Sequence, residues 1–146
     1  MKAFKKFLGG LLFIFCMVSV EVCTKGIFKA QMNKNVVTKS NVNEKLRQLE
    51  RKLNKDLPKQ LDEITILKKV EALSGKEIRY HYTILLDELE ITELEIMQQK
   101  QSMIKSLKQE NNMELFKKHG VTMSYTYETQ QGKHLFDITI TPEDYR

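Results

Sequence analysis

Residues 120–141, GVTMSYTYETQQGKHLFDITIT, decide the fold class. Val121, Met123, Tyr125 and Tyr127 alternate with Thr122, Ser124, Thr126 and Glu128, the period of two that sends successive side chains to opposite faces of a strand. Gln131-Gly132 supplies a turn. Phe136, Ile138 and Ile140 then answer on the apolar side, with Asp137, Thr139 and Thr141 opposite. Pro142 stops the ladder because it has no N–H to donate. A hairpin that is apolar on one face only must lay that face on something.

Upstream the same grammar recurs. Ile64-Thr65-Ile66 and Val70 open a strand, Ser74-Gly75 turns it, and Lys76 to Leu86 runs back. Ile78, Tyr80, Tyr82, Ile84 and Leu86 share one side of the return strand; Arg79, His81 and Thr83 share the other. Between the hairpins, Asp87, Glu88, Glu90, Glu93 and Glu95 crowd the start of a long helix, where carboxylates favour the positive end of the dipole. Thr92 or Asp87 caps it. Leu94, Met97, Ile104 and Leu107 follow its period, and Lys100, Lys105 and Lys108 come later, again with the dipole. Asn111-Asn112 breaks the helix, Met113 to His119 resumes it, and Gly120 is a good residue to end it.

A further helix precedes the first hairpin. Asn43 or Ser40 is placed to cap it, Leu46, Leu49 and Leu53 line one side, and Pro58 closes the segment. The expected fold is therefore α+β: an N-terminal helix, then ββαββ, with a four-stranded antiparallel sheet covered on one face by the long helix. Tyr80, Tyr82, Tyr125 and Tyr127 share the parity of Ile78, Ile84, Met123 and Phe136, so they belong to the core.

The chain opens on a targeting pattern. Lys2, Lys5 and Lys6 precede an uncharged run, Phe7 to Val20, of the kind read as a signal peptide. The run is shorter than the roughly 20 residues of a spanning helix. Residues 1–26 are expected to be a signal peptide cut after Cys23 or Gly26, or else an N-terminal anchor in the inner membrane through residues 7–20. Neither Cys16 nor Cys23 follows a small residue, as lipoprotein processing requires. Residues 27–41 read as a linker, and residues 42–146 as a single α+β domain. The expected location is periplasmic or secreted, with weak membrane association through the N-terminal segment.

Composition narrows the function classes. The formal charge of +5 falls once the leader is set aside, leaving 20 bases against 18 acids. That is no footprint for nucleic acid. Both cysteines lie in the leader, so thiol and zinc-finger chemistry have no ligands in the domain. His81, His119 and His134 are scattered without metal-ligand spacing, and Ser102, Ser106 and Ser124 stand outside any nucleophile motif. The acids of residues 87–95 lack the alternating calcium loop with its central Gly. No catalytic residue, metal or cofactor is expected. Two surfaces qualify for binding an envelope protein or peptide. One is the polar sheet face (Arg79, His81, Thr83, Ser124, Thr126, Asp137, Thr139), of which Arg79, His81 and Asp137 are the strongly polar members. The other is the groove beside the long helix, around Gln98, Gln101 and Lys105.

Leu57-Pro58, EIRYHYTIL at 77–85, LFKKHGVTMSYTY at 115–127 and the closing Gly132 to Pro142 resemble a group of small exported bacterial proteins without assigned function. The closing order of helix, Gly, Tyr-rich strand, Gly turn and final strand is also similar to the pilotins of type II secretion systems. The resemblance covers about residues 57 to 145 and is specific for fold more than for activity. It implies a noncatalytic envelope role, and on the pilotin side a chaperone or assembly factor of a secretion machine. Members of both groups usually carry a cysteine in the long helix and another near the C-terminus. Here Lys108 and Tyr145 stand near those places.

Overall fold

A sixteen-residue amphipathic helix, α1 (Lys39–Asn54), leads into the sheet in a computed structural model that describes residues 39–86, 89–110 and 113–146. The predicted leader and anchor, most of the linker, Asp87 and Asn111-Asn112 lie outside those residues. Helix α1 begins within the stretch read as linker. Val42, Leu46, Leu49 and Leu53 recur at helical spacing and are all buried. Asn43 is not a cap: it sits inside the helix, and its Oδ1 accepts the Lys76 N–H at 3.1 Å.

Strand β1 (Lys59–Gln60) is two residues long, and β2 (Thr65–Leu73) and β3 (Glu77–Ile84) form the expected hairpin. Its turn places Gly75 and Lys76 at positive φ (80° and 63°), which Lys76 sustains because it is tied at both ends. Its backbone is held by Asn43, and its Nζ donates to the carbonyl of His119 at 2.9 Å. Where β1 stops short, Asn54 takes the place of a neighbouring strand. Its amide donates to the Val70 carbonyl at 2.8 Å, and its Oδ1 accepts the Val70 N–H at 2.9 Å. Both backbone groups would otherwise stand unpaired at a sheet edge.

The chain then crosses over. Helix α2 (Glu93–Gln109) starts at a capping box in which Thr92 Oγ1 accepts the Glu95 N–H and Glu95 accepts the Thr92 N–H. Asp87 is not needed as a cap. Helix α3 (Glu114–His119) follows and ends at Gly120 in the left-handed conformation (φ 63°). Strands β4 (Thr122–Thr129) and β5 (His134–Ile140) complete the sheet, and α4 (Pro142–Tyr145) closes the chain.

Two features differ from the expectation. The sheet has five strands, in the order β1-β2-β3-β4-β5, and the central pair β3–β4 is parallel. The crossover through α2 returns the chain to the end where β3 began, so β4 must run alongside it. The cover also differs, since α1 and α2 both contribute to one hydrophobic cluster over the sheet. On α2 the buried stripe is Gln99, Met103 and Leu107, with Ile104 at its margin. Leu94 and Met97, expected in that stripe, are 60% and 58% exposed. At 100° per residue they lie roughly a third to half a turn away from it.

The core face carries its own order. Tyr80 stacks on Tyr125 (centroids 5.3 Å apart), Tyr82 on Tyr127 (5.0 Å), and Tyr127 on Phe136 (4.5 Å). The register makes this inevitable: Tyr80 faces Tyr125 and Tyr82 faces Tyr127 across the parallel pair, and Phe136 faces Tyr127 on the next strand. Each ring is offset-stacked within the distance range where aromatic pairs add to simple burial. The tyrosines are core, as their parity predicts.

Candidate functional site: the polar face of the sheet

With the two long helices on the aromatic side, the odd-parity residues of β3 and their partners form the opposite face. The ladder sets them in rows. Glu71, Arg79, Ser124 and Thr139 lie side by side on β2 to β5, and Lys69, His81, Thr126 and Asp137 make the next row. Arg79 and His81 are thus neighbours on one strand. Asp137 is two strands away, about 10 Å at the usual strand spacing. It pairs instead with His134, Oδ2 to Nε2, at 2.8 Å. The three residues singled out from the sequence share a face but not a common centre.

The groups that organise the face are two carboxylates. Glu71 Oε2 lies 2.6 Å from His81 Nε2, and its other oxygen accepts from Lys69 Nζ at 2.8 Å. The Lys69 hydrogen bond, helped by His81, holds the Glu71 carboxyl below its ordinary value of 4.5 against the opposing effect of burial. Glu77 Oε1 accepts from Arg79 Nη2 at 3.0 Å and from Ser124 Oγ at 2.8 Å. A third pair spans the sheet, with Lys68 Nζ 2.6 Å from Glu128 Oε1. Lys68 is the extra residue of a bulge between Leu67 and Lys69, which puts two consecutive lysines on the solvent side.

Arg79 stands apart. Its Nε is buried and makes no hydrogen bond among the described residues, while the side chain as a whole is 39% exposed. One donor of a guanidinium fork is therefore unspent beside a half-exposed head. Ser124, expected on a wet face, is only 5% exposed beneath the Glu77–Arg79 pair. Of the second surface, Gln98, Gln101 and Lys105 are exposed on the outward side of α2, on the helix that also exposes Leu94 and Met97.

Glu71, Glu77, Lys68 and Lys69 escaped the sequence reading, and Glu128 was placed on the polar side by its parity without being singled out for the site. Leu67 and Val70 are both buried although three positions apart, an interval that alternation alone does not produce, and this was the available sign of the bulge. Elsewhere, His119 is pushed below its ordinary value of 6.5 by burial and then by Lys45, Lys118 and Lys76. Tyr145, near the position where the resembling groups carry a cysteine, is buried. Its hydroxyl donates toward the carbonyls of Val121 (2.6 Å) and Phe116 (3.1 Å), and burial pushes its pKa up. Lys108 is exposed on α2. Among the described residues no group of three or more His, Cys, Asp or Glu is placed to hold a metal ion, and no helix is long and apolar enough to cross a membrane.

A family model described as a domain of unknown function, DUF8479, matches residues 40–136. The chain belongs to that family. No curated protein matches it in sequence. Among solved structures, a Pseudomonas aeruginosa protein described as secreted is similar at a TM-score of 0.63 and 9% identity, over 77% of this chain and all of that one. The type II secretion pilotin AspS of Vibrio cholerae is similar at 0.53 and 15% identity, over 72% and 93%. The pilotin EpsS of Vibrio vulnificus type 2 secretion is similar at 0.57 and 8% identity, over 73% and 94%. At these identities the likeness is one of fold, and it agrees with the resemblance read from the sequence.

Proposed function

We propose that the protein is an exported, noncatalytic domain that binds another protein of the cell envelope through its polar sheet face, with a pilotin-like role in assembling a secretion machine as the specific form. The observation that carries this reading is the lattice around Arg79. Carboxylates on the face are matched by cations, which suits recognition better than reaction, and the partly exposed Arg79 guanidinium is suited to a carboxylate on a partner. The basic, apolar N-terminus supports export, and the fold shared with a secreted protein and two pilotins supports the envelope setting.

The test is capture of the tagged full-length protein from envelopes of its own host, with wild type and Arg79→Ala compared. An ion pair whose members keep contact with water adds little to folding, so Arg79→Ala should leave the melting temperature within a few degrees while weakening capture. Recovery of a secretin with the wild type, lost with the variant, selects the pilotin-like form. A different envelope partner lost in the same way keeps binding and removes the pilotin. Equal capture by both proteins removes the polar face as the site. Turnover by the purified protein on a hydrolase or peptidoglycan panel would remove the noncatalytic reading.

A further inference from the structure

The two edges of the sheet are finished differently. Beyond β2, strand β1 covers two residues, and the Asn54 side chain bonds both backbone groups of Val70. At the opposite edge, β5 is laddered to β4 and has no backbone partner on its outer side among the described residues. The register says which groups are left over. The Thr122 N–H donates to the Lys76 carbonyl at 2.9 Å, so the even-numbered residues of β4 bond toward β3 and the odd-numbered ones toward β5. Met123, Tyr125 and Tyr127 are therefore bonded to Ile140, Ile138 and Phe136, and the N–H and C=O of Asp137 and Thr139 point outward. Thr141, the next outward residue, is already engaged: Asp144 Oδ2 accepts its N–H at 2.9 Å, and the Asp144 N–H donates to its carbonyl at 3.0 Å. Edge strands are commonly blunted by lysine or proline. From His134 to Ile140 the strand has neither, and its one carboxylate, Asp137, is held by His134 at 2.8 Å.

We propose that β5 pairs antiparallel with β5 of a second copy, about a two-fold axis through Ile138. Residues opposite each other in a sheet share a face, so such an axis passes through a residue and never between two. Within the open stretch that leaves Asp137, Ile138 and Thr139. An axis at Asp137 would set the two Asp137 carboxylates directly against each other, which destabilises a strand pair. An axis at Thr139 would pair Asp137 with Thr141, whose backbone is engaged by Asp144. An axis at Ile138 sets Asp137 opposite Thr139 of the other copy, and does so twice. Each of these facing pairs exchanges both N–H···O bonds, so every open group finds a partner, and each Thr139 hydroxyl donates to a carboxylate. On the core side Ile138 meets its own copy and Phe136 meets Ile140. Because β1 and Asn54 finish the other edge, the pairing closes at two copies and does not propagate along a fibre. The seam is short, so the dimer should be weak and concentration-dependent. No envelope protein takes part, so the proposal does not rest on the partner proposed above.

Two differently tagged full-length copies are expressed together in the host, and recovery of one with the other is measured after cross-linking. Wild-type copies should co-purify. Thr139→Pro in both should reduce recovery at least fivefold, because it removes an outward N–H and leaves the bonds to β4 in place. The decisive test is one of charge. Thr139→Glu in both copies sets each new carboxylate against Asp137 of the other and should also reduce recovery at least fivefold. Thr139→Glu in one copy with Asp137→Lys in the other forms one ion pair and keeps one wild-type contact. That combination should recover to the wild-type level, a pattern that misfolding of Thr139→Glu cannot produce. Absence of co-purification in every combination overturns the proposal. So does equal recovery regardless of charge, and so does a loss with Thr139→Glu that Asp137→Lys fails to restore. Capture of a different protein that Thr139→Pro abolishes, with no second copy recovered, overturns it as well.

Discussion

The two faces of the sheet are built from the same strands in the same register, yet they are held together in different ways. On one, Tyr80, Tyr82, Tyr125, Tyr127 and Phe136 stack in contact beneath two helices, with water excluded. On the other, Glu71, Glu77, Arg79, His81, Lys68 and Glu128 bond laterally and keep partial contact with water. The first should dominate stability, because burying large aromatic area outweighs ion pairs whose members keep contact with water. The second should contribute little to the folding free energy, which leaves it available for the recognition proposed above. Position along a strand says little about which role a residue has; parity decides.

The sharpest way to break this contrast is Tyr125→Ala. Tyr125 sits between Tyr80 and Tyr82 and is 2% exposed, so urea denaturation should show a loss of about 3–5 kcal/mol. A loss below about 1 kcal/mol would mean that the stack is not the core. Ser124→Val, one residue earlier and on the polar side, should cost about 1–2 kcal/mol. It removes a part-buried hydrogen bond to the Glu77 carboxylate, although the added methyl groups offset part of the loss. A neutral result would place Ser124 with the solvated residues.

A smaller effect concerns acid. The Glu71 carboxyl titrates below its ordinary value in the folded state, so the stability it contributes is present above about pH 4.5 and disappears as pH falls through the folded value. Glu71→Gln should flatten that part of the stability–pH curve while leaving neutral-pH stability changed by less than about 1 kcal/mol, as expected for a half-exposed pair. An unaltered acid limb would show that the Lys69 and His81 contacts do not persist in solution. The smallest effect expected is Thr126→Ala, on the polar side between Tyr125 and Tyr127. It should cost less than about 0.5 kcal/mol in the same denaturation measurement. Losses as large as those of Tyr125→Ala would mean that both faces are covered.

The alternation of residues 120–141 and 77–86 made this division legible, since side-chain parity is set by the strand alone. The direction of pairing was not. Alternation is identical in parallel and antiparallel strands, and only the crossover through α2 and α3 determines that β4 runs beside β3. The α2 stripe misled for a related reason. Leu94 and Met97 match the helical period, but the buried side of the helix passes through Gln99, an amide that a hydropathy pattern counts against burial. Within the candidate site, Arg79 and His81 could be placed together because they sit two apart on one strand. Their carboxylate partners could not, because the contacts of Glu71 and Glu77 are set by register across neighbouring strands, which the pattern of one strand does not encode. Asp137 shared their face without sharing their contacts, which depend on distance across strands that one strand's pattern does not encode.

The parallel seam between β3 and β4 has a consequence for how the chain reaches this state. Each hairpin joins residues close in sequence, so β2–β3 and β4–β5 close rapidly over short loops. The seam joins Tyr80 to Tyr125 and Tyr82 to Tyr127, and the intervening segment must be gathered before either contact forms. Its assembly is the entropically demanding step, and the stacked rings lie on it. Substitutions at Tyr80 or Tyr127 should therefore slow refolding more than equally destabilising changes at Leu46 in α1, whose helix forms locally. Two quickly made halves wait on one slow join, and the tyrosines set its pace.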